Sequence, residues 1–123
     1  MQIVVIADGK NQKAFQDKEI PEGVIIQFFG NVEEAKKDGE GYFYLLGKES
    51  FERDYEMLKE ITAPVFFIHQ GVVDNLPGNF AIIEGWPQFL FAETVNVHYH
   101  KEKKNEIKAV LNAMKWDFHS EIQ

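Results

Sequence analysis

The chain has 123 residues, which is enough for one domain and too few for a second of ordinary size. Its 45% hydrophobic and 27% charged residues exclude an intrinsically disordered composition, and the absence of cysteine excludes disulfides and thiolate chemistry. A formal net charge of −7, from 20 acidic against 13 basic residues, argues against binding to nucleic acid or to an anionic membrane, both of which need clustered positive charge.

The first element is a strand, Gln2-Ile3-Val4-Val5-Ile6-Ala7, apolar and β-branched along nearly its whole length as a strand buried on both faces is. Asp8-Gly9-Lys10-Asn11 breaks it, and one or two helical turns are expected over Gln12 to Lys18. A second buried strand runs from Val24 to Phe29 and ends at Gly30. Asn31 followed by Glu34 reads as a capping box, with Glu33 adding favourable charge to the first turn of a brief helix. Asp38-Gly39-Glu40-Gly41 stops that helix, and Gly41 to Leu46 is the third strand.

Ser50 is the expected cap of the best helix, Ser50 to Thr62, in which Phe51, Tyr55, Leu58 and Ile61 form one apolar stripe. Pro64 excludes its continuation and opens a fourth strand to His69. Strands over Phe80 to Glu84 and Glu93 to His98 flank Gly85-Trp86-Pro87 and are expected to be antiparallel neighbours, because the connection is short. A last helix, Glu106 to Lys115, carries Ile107, Val110, Leu111 and Met114 on one face. Its start is poorly capped, with Lys101, Lys103 and Lys104 where the helix dipole prefers acids. Trp116 to Ile122 is either a terminal strand or a tail.

Alternating strands and helices predict an α/β fold: a Rossmann-like three-layer sandwich spanning residues 1–123 as one domain. The sheet is expected to be mostly parallel with a C-terminal antiparallel strand. Its first four strands are expected in the order 3-2-1-4, burying Ile3, Val5, Val24, Ile26, Phe43, Leu45, Val65 and Phe67. No run approaches the ~20 apolar residues that span a bilayer. Asp8 closes the apolar start without a signal-peptide cleavage pattern, so a cytoplasmic location is expected.

The pieces arrive in an order that resembles the NAD-binding domain of the 3-hydroxyacyl-CoA dehydrogenases. A strand ends near Gly47-Lys48-Glu49 and leads to a long helix and a Pro-led strand. Then comes Asn79-Phe80-Ala81-Ile82-Ile83-Glu84-Gly85-Trp86-Pro87, a further strand, and a helix ending at Trp116-Asp117. The resemblance implies a glycine-rich first loop that holds NAD, a catalytic His, and an all-helical C-terminal domain completing the substrate site. At the three loop glycines this chain has Ala7, Gly9 and Gln12, so Gly9, with Lys10 beside it, is the remaining cofactor-binding candidate. Asp8 adds a negative charge where the pyrophosphate would lie. Glu84 or Gly85 falls at the position of the family's catalytic His, which makes Glu84 the candidate catalytic residue by analogy. The helical domain has no counterpart in the 123 residues.

Outside that comparison, His69 ends the fourth strand at the sheet's carboxyl edge, where open parallel sheets bind ligands. Glu84 and Trp86 either line a pocket at that edge or belong to a turn in which Trp86 covers the core, the second being favoured because aromatic bulk reports burial. His98 and His100, with Glu93 or Glu102, are read as exposed edge-strand residues rather than a metal site. No metal is expected, and no cofactor, NAD being the one the resemblance implies. Two functions compete. One is a non-catalytic relative of the dehydrogenase domain that binds an unidentified small molecule or a protein. The other is a reduced oxidoreductase that binds a nucleotide and takes the missing helical domain from a partner chain. A homodimer joined through the edge Glu93 to His100 is a further expectation.

Overall fold

A computed structural model describes residues 1–16, 20–35, 39–69, 79–84, 94–99, 101–114 and 117–122. Seven strands form one sheet: β1 (Gln2–Ile6), β2 (Ile25–Phe29), β3 (Gly41–Tyr44), β4 (Val65–His69), β5 (Phe80–Glu84), β6 (Thr94–Tyr99) and β7 (Asp117–Ile122). Three α-helices among the described residues accompany them: α1 (Gly9–Gln16), α2 (Lys48–Lys59) and α3 (Lys104–Ala113). The expected Rossmann-like α/β sandwich is what forms, and the C-terminal alternative settles on a strand from Asp117 onward.

The sheet order is β2-β1-β3-β4-β5-β6-β7. Strands β1 to β5 are mutually parallel, β5 and β6 are antiparallel as expected, and β7 runs parallel to β6. The order of the first four strands corrects the expected 3-2-1-4, because β3 pairs with β1 and leaves β2 at the edge. Burial explains the outcome. Gly41-Tyr42-Phe43-Tyr44 is buried at every residue and needs a strand on each side, whereas β2 alternates between exposed and half-buried residues. Val24 and Ile26 are accordingly half-buried, while Ile3, Val5, Phe43, Leu45, Val65 and Phe67 are buried as expected.

Handedness then places the helices. Moving from β1 to β2 and from β3 to β4 takes the chain in opposite lateral directions, so right-handed crossovers send α1 to one face and α2 to the other. Strand β6 runs against β1 to β5, so its crossover to β7 carries α3 to the face opposite α2. Two apolar layers result. Ile107, Val110 and Leu111 of α3 cover Ile3, Val5, Phe43, Phe66, Val97 and Tyr99. On the opposite face Leu58 and Ile61 cover Val4, Ile6, Tyr42, Tyr44, Val65, Phe67, Phe80 and Ile82. Phe51 stacks on Phe67 with ring centroids 4.0 Å apart, and Tyr55 meets Phe80 edge-on at 5.8 Å.

Local chemistry moves several helix ends from where the sequence puts them. Helix α1 starts at Gly9, because Asp8 caps it. The Asn31 carboxamide oxygen accepts the Glu34 N–H at 2.9 Å, as a cap should, yet residues 31–35 make only a turn, in which Ala35 N–H reaches back to Val32 O. Helix α2 starts at Lys48 rather than beyond Ser50, because Gly47 turns the chain in at φ 96°, a conformation glycine adopts freely. Helix α3 lacks a side-chain cap, as its lysines foretell, and is entered through a 3₁₀ turn over Lys101–Lys103. No helix among the described residues is long and apolar enough to cross a membrane.

Candidate functional site

In a doubly wound sheet, ligands bind at the carboxyl ends of the strands, where successive connections leave for opposite faces. Here that point lies between β1, which leads into α1, and β3, which leads into α2. Two loops flank it: Ala7-Asp8-Gly9 and Leu45-Leu46-Gly47.

The first loop is braced by its own side chains. The Asp8 carboxylate accepts the Asn11 backbone N–H at 2.9 Å, and Asp8 O accepts the Gln12 N–H at the same distance. The Gln12 carboxamide donates to Ala7 O at 2.8 Å. The buried Asn11 carboxamide crosses the switch point and donates to Leu45 O at 3.2 Å, linking the two loops. Gln12, which the resemblance sets at its third glycine, is thus engaged with Ala7, and the Asn11 N–H at the start of α1 is taken by a carboxylate belonging to the chain. A pyrophosphate needs the N–H donors of a helix start and a neutral or positive surround. Asp8 takes one of those donors and sets a negative charge beside it.

Gly9 opens α1 and is exposed, and a Cβ placed on it would meet nothing within 4 Å. Nothing in the fold therefore demands glycine there. Lys10 beside it is also exposed. The register pairs His69 of β4 with Glu84 of β5, so these two candidates end adjacent strands at the carboxyl edge. Trp86 and His100 lie outside the described residues.

His98 corrects the expectation of an exposed edge residue. It is 3% exposed and sits opposite Ile82, because β7 covers the far side of β6. For the same reason β6 is interior over Thr94–Tyr99, with β5 on one side and β7 on the other. Among the described residues no group of three or more His, Asp or Glu is arranged to hold a metal ion.

One polar cluster is absent from the sequence-based expectations. Asp54 is 3% exposed in the middle of the apolar stripe of α2. Its carboxylate accepts the Tyr44 hydroxyl at 2.6 Å and the Arg53 guanidinium at 3.1 and 3.2 Å. Burial by itself raises the Asp54 pKa, but the hydrogen bonds from Arg53 and Tyr44 and the guanidinium charge together outweigh it and hold the carboxyl below its ordinary value. Burial, followed by the bond to Asp54 and its negative charge, pushes the Tyr44 hydroxyl far above the usual phenol range. A signal is present in the spacing, since residue 54 lies three after Phe51 and four before Leu58. Asn79, the leading residue of the most specific stretch of the resemblance, serves the fold. Its carboxamide donates to Ile61 O at 2.7 Å and ties the start of β5 to the end of α2.

No family model matches the chain. No curated protein matches it either. Among solved structures it is similar to three proteins named for oxidation or reduction. An imine reductase of Streptomyces aurantiacus shares 12% identity at a TM-score of 0.63, with 98% of this chain and 56% of that one covered. A 3-hydroxyacyl-CoA dehydrogenase of Archaeoglobus fulgidus shares 13% identity at 0.61, with 98% and 56% covered. A diketoreductase studied for dual catalysis of dicarbonyl compounds shares 14% identity at 0.63, with 98% and 64% covered. The chain thus spans between 56% and 64% of the length of these neighbours, and at such identities the likeness is one of fold: the Rossmann-like fold found in oxidoreductases.

Proposed function

We propose that this chain is a non-catalytic Rossmann-like module, related in fold to the NAD-binding domain of 3-hydroxyacyl-CoA dehydrogenases, which binds a small molecule or a protein and does not hold NAD tightly. The observation that carries this reading is the bracing of the first loop. Asp8 takes the α1 donor that a phosphate would use, and Asn11 and Gln12 knit the loop to Leu45 and to Ala7. A dinucleotide would have to displace a cap and bring its own negative charge beside Asp8. Glu84 stands by analogy where the family has a His, and a carboxylate there would support a different proton transfer from an imidazole.

Calorimetric titration of the chain with NAD and NADH tests the proposal. The expected outcome is no saturable binding below a dissociation constant of ~1 mM, which corresponds to roughly −4 kcal/mol. Binding in the low micromolar range, abolished by Gly9→Val, would overturn it and place the cofactor in this loop.

One observation favours a second reading. The three similar structures are all named as reductases or dehydrogenases, and each is longer than this chain. In that reading the chain is the nucleotide-binding part of an oxidoreductase, and a partner chain supplies the helical part. It requires the micromolar NAD binding that the titration measures, so one experiment separates the two.

A further inference from the structure

We propose that two copies of this chain pair through β2, antiparallel and about a two-fold axis at Gln27, to form one continuous sheet. Among the described residues, β2 and β7 are the outer strands of the sheet. Outer strands of natural sheets are ordinarily blunted by charge, proline or a bulge. The other outer strand, β7, follows that rule with Asp117, His119 and Glu121 in its six residues. Strand β2 does not. From Gly23 to Val32 there is no charged residue and no proline, in a chain that is 27% charged.

The sequence of β2, Ile25-Ile26-Gln27-Phe28-Phe29, is complementary to its own reverse. Centred on Gln27, an antiparallel pair sets Ile25 against Phe29, Ile26 against Phe28, and Gln27 against Gln27. Every pair is then aromatic with β-branched or amide with amide, both favourable cross-strand combinations. Ile25, 56% exposed in the single chain, gains an aromatic neighbour on its own face.

The backbone agrees with this register. Ile25 N–H donates to Met1 O at 2.9 Å, and Phe29 O accepts the Ala7 N–H at 3.0 Å, so both residues direct their main-chain groups toward β1. By strand alternation Gln27 does the same, while Ile26 and Phe28 direct theirs to the outside of the sheet. In an antiparallel pair, opposed residues alternate between hydrogen-bonded and non-hydrogen-bonded positions. An axis at Gln27 makes Gln27 a non-hydrogen-bonded pair and Ile26–Phe28 a hydrogen-bonded one, as the alternation along β2 requires. A two-fold interface of this kind is self-limiting, because it consumes the one uncharged edge of each copy.

Sedimentation velocity over a concentration series tests the proposal, with Gln27→Lys and Gln27→Glu as variants. Gln27 is exposed, so both variants keep the native circular dichroism spectrum. The wild type is expected to sediment as a dimer. Each variant sets like charges across the axis and weakens association by about tenfold or more. An equimolar mixture of the two variants restores the dimer, because Lys then faces Glu. A wild type that stays monomeric up to ~1 mM overturns the proposal. So do variants that dimerise as tightly as the wild type, or a mixture no tighter than its components, since that rescue depends on Gln27 facing Gln27.

Discussion

A buried carboxylate in an apolar stripe is costly unless its lone pairs are satisfied, and Asp54 meets that condition with three hydrogen bonds from Tyr44 and Arg53. The pair leaves a signature in pH. Asp54 has a lowered pKa in the fold, so its contribution is present above the unfolded carboxyl value of roughly 4 and is lost as pH falls through the folded one. Tyr44 has a raised pKa, so its contribution is complete below the unfolded phenol value of about 10 and is lost as pH rises above it. Tyr44→Phe removes the bond to the charged group and is expected to cost about 1.5–3 kcal/mol at neutral pH. The stability difference between wild type and variant should narrow above pH ~10. Urea denaturation at several pH values measures both, and a difference that stays constant into alkali would show that the hydroxyl is not held by Asp54.

Between elements, the approach of α3 to the sheet depends on Gly41. A Cβ there would stand 2.9 and 3.0 Å from the two γ-carbons of Val110 and 3.2 Å from Ile3 Cδ1, all of them buried. Gly41→Val would ordinarily favour a strand, since valine is the better β-former. In this position overpacking is expected to dominate and to destabilise by about 1–3 kcal/mol. Val110→Ala in the same chain should return part of that loss, giving a favourable coupling in a double-mutant cycle measured by urea denaturation. A Gly41→Val protein as stable as the wild type would mean that α3 lies further from the sheet. The sequence locates both elements and is silent on their contact, because a glycine at a strand start looks the same whether it ends a loop or admits a helix.

For the whole molecule, the central strands should be the last to open. Every residue of β3 and all but the first of β1 are buried, whereas α1 carries exposed residues at its start. Native-state hydrogen exchange should find the amides of Val5 and Phe43 exchanging only on global unfolding, and that of Gln12 exchanging through a smaller local opening. Equal exchange at Gln12 and Val5 would make α1 part of the same cooperative unit as the sheet. The two candidates at the far side of the carboxyl edge, His69 and Glu84, are neighbours in register although they are far apart in sequence. Each was legible singly, as a strand end, and their adjacency was not.

Strand and helix identity were legible because burial leaves a local imprint. A continuous β-branched run marks β1, an apolar run opened by Pro64 marks β4, and a helical stripe marks α2 and α3. The antiparallel entry of β6 was legible from the short connection before it. That Ala7 and Gln12 stand where the resemblance sets glycines was plain in the sequence, while the hydrogen bonds that Gln12 and Asp8 make needed the folded loop. The strand order was not legible, because the side of β1 on which β3 pairs depends on which strand must be covered on both edges, a property of the assembled sheet. Asp54 was hidden for a similar reason: its spacing marked the buried face, but only the approach of Tyr44 from another element makes a carboxylate stable there. The outer position of β2 was decided in the same way. An uncharged run of apolar residues reads as core from sequence, and only the assembled sheet leaves it at the rim.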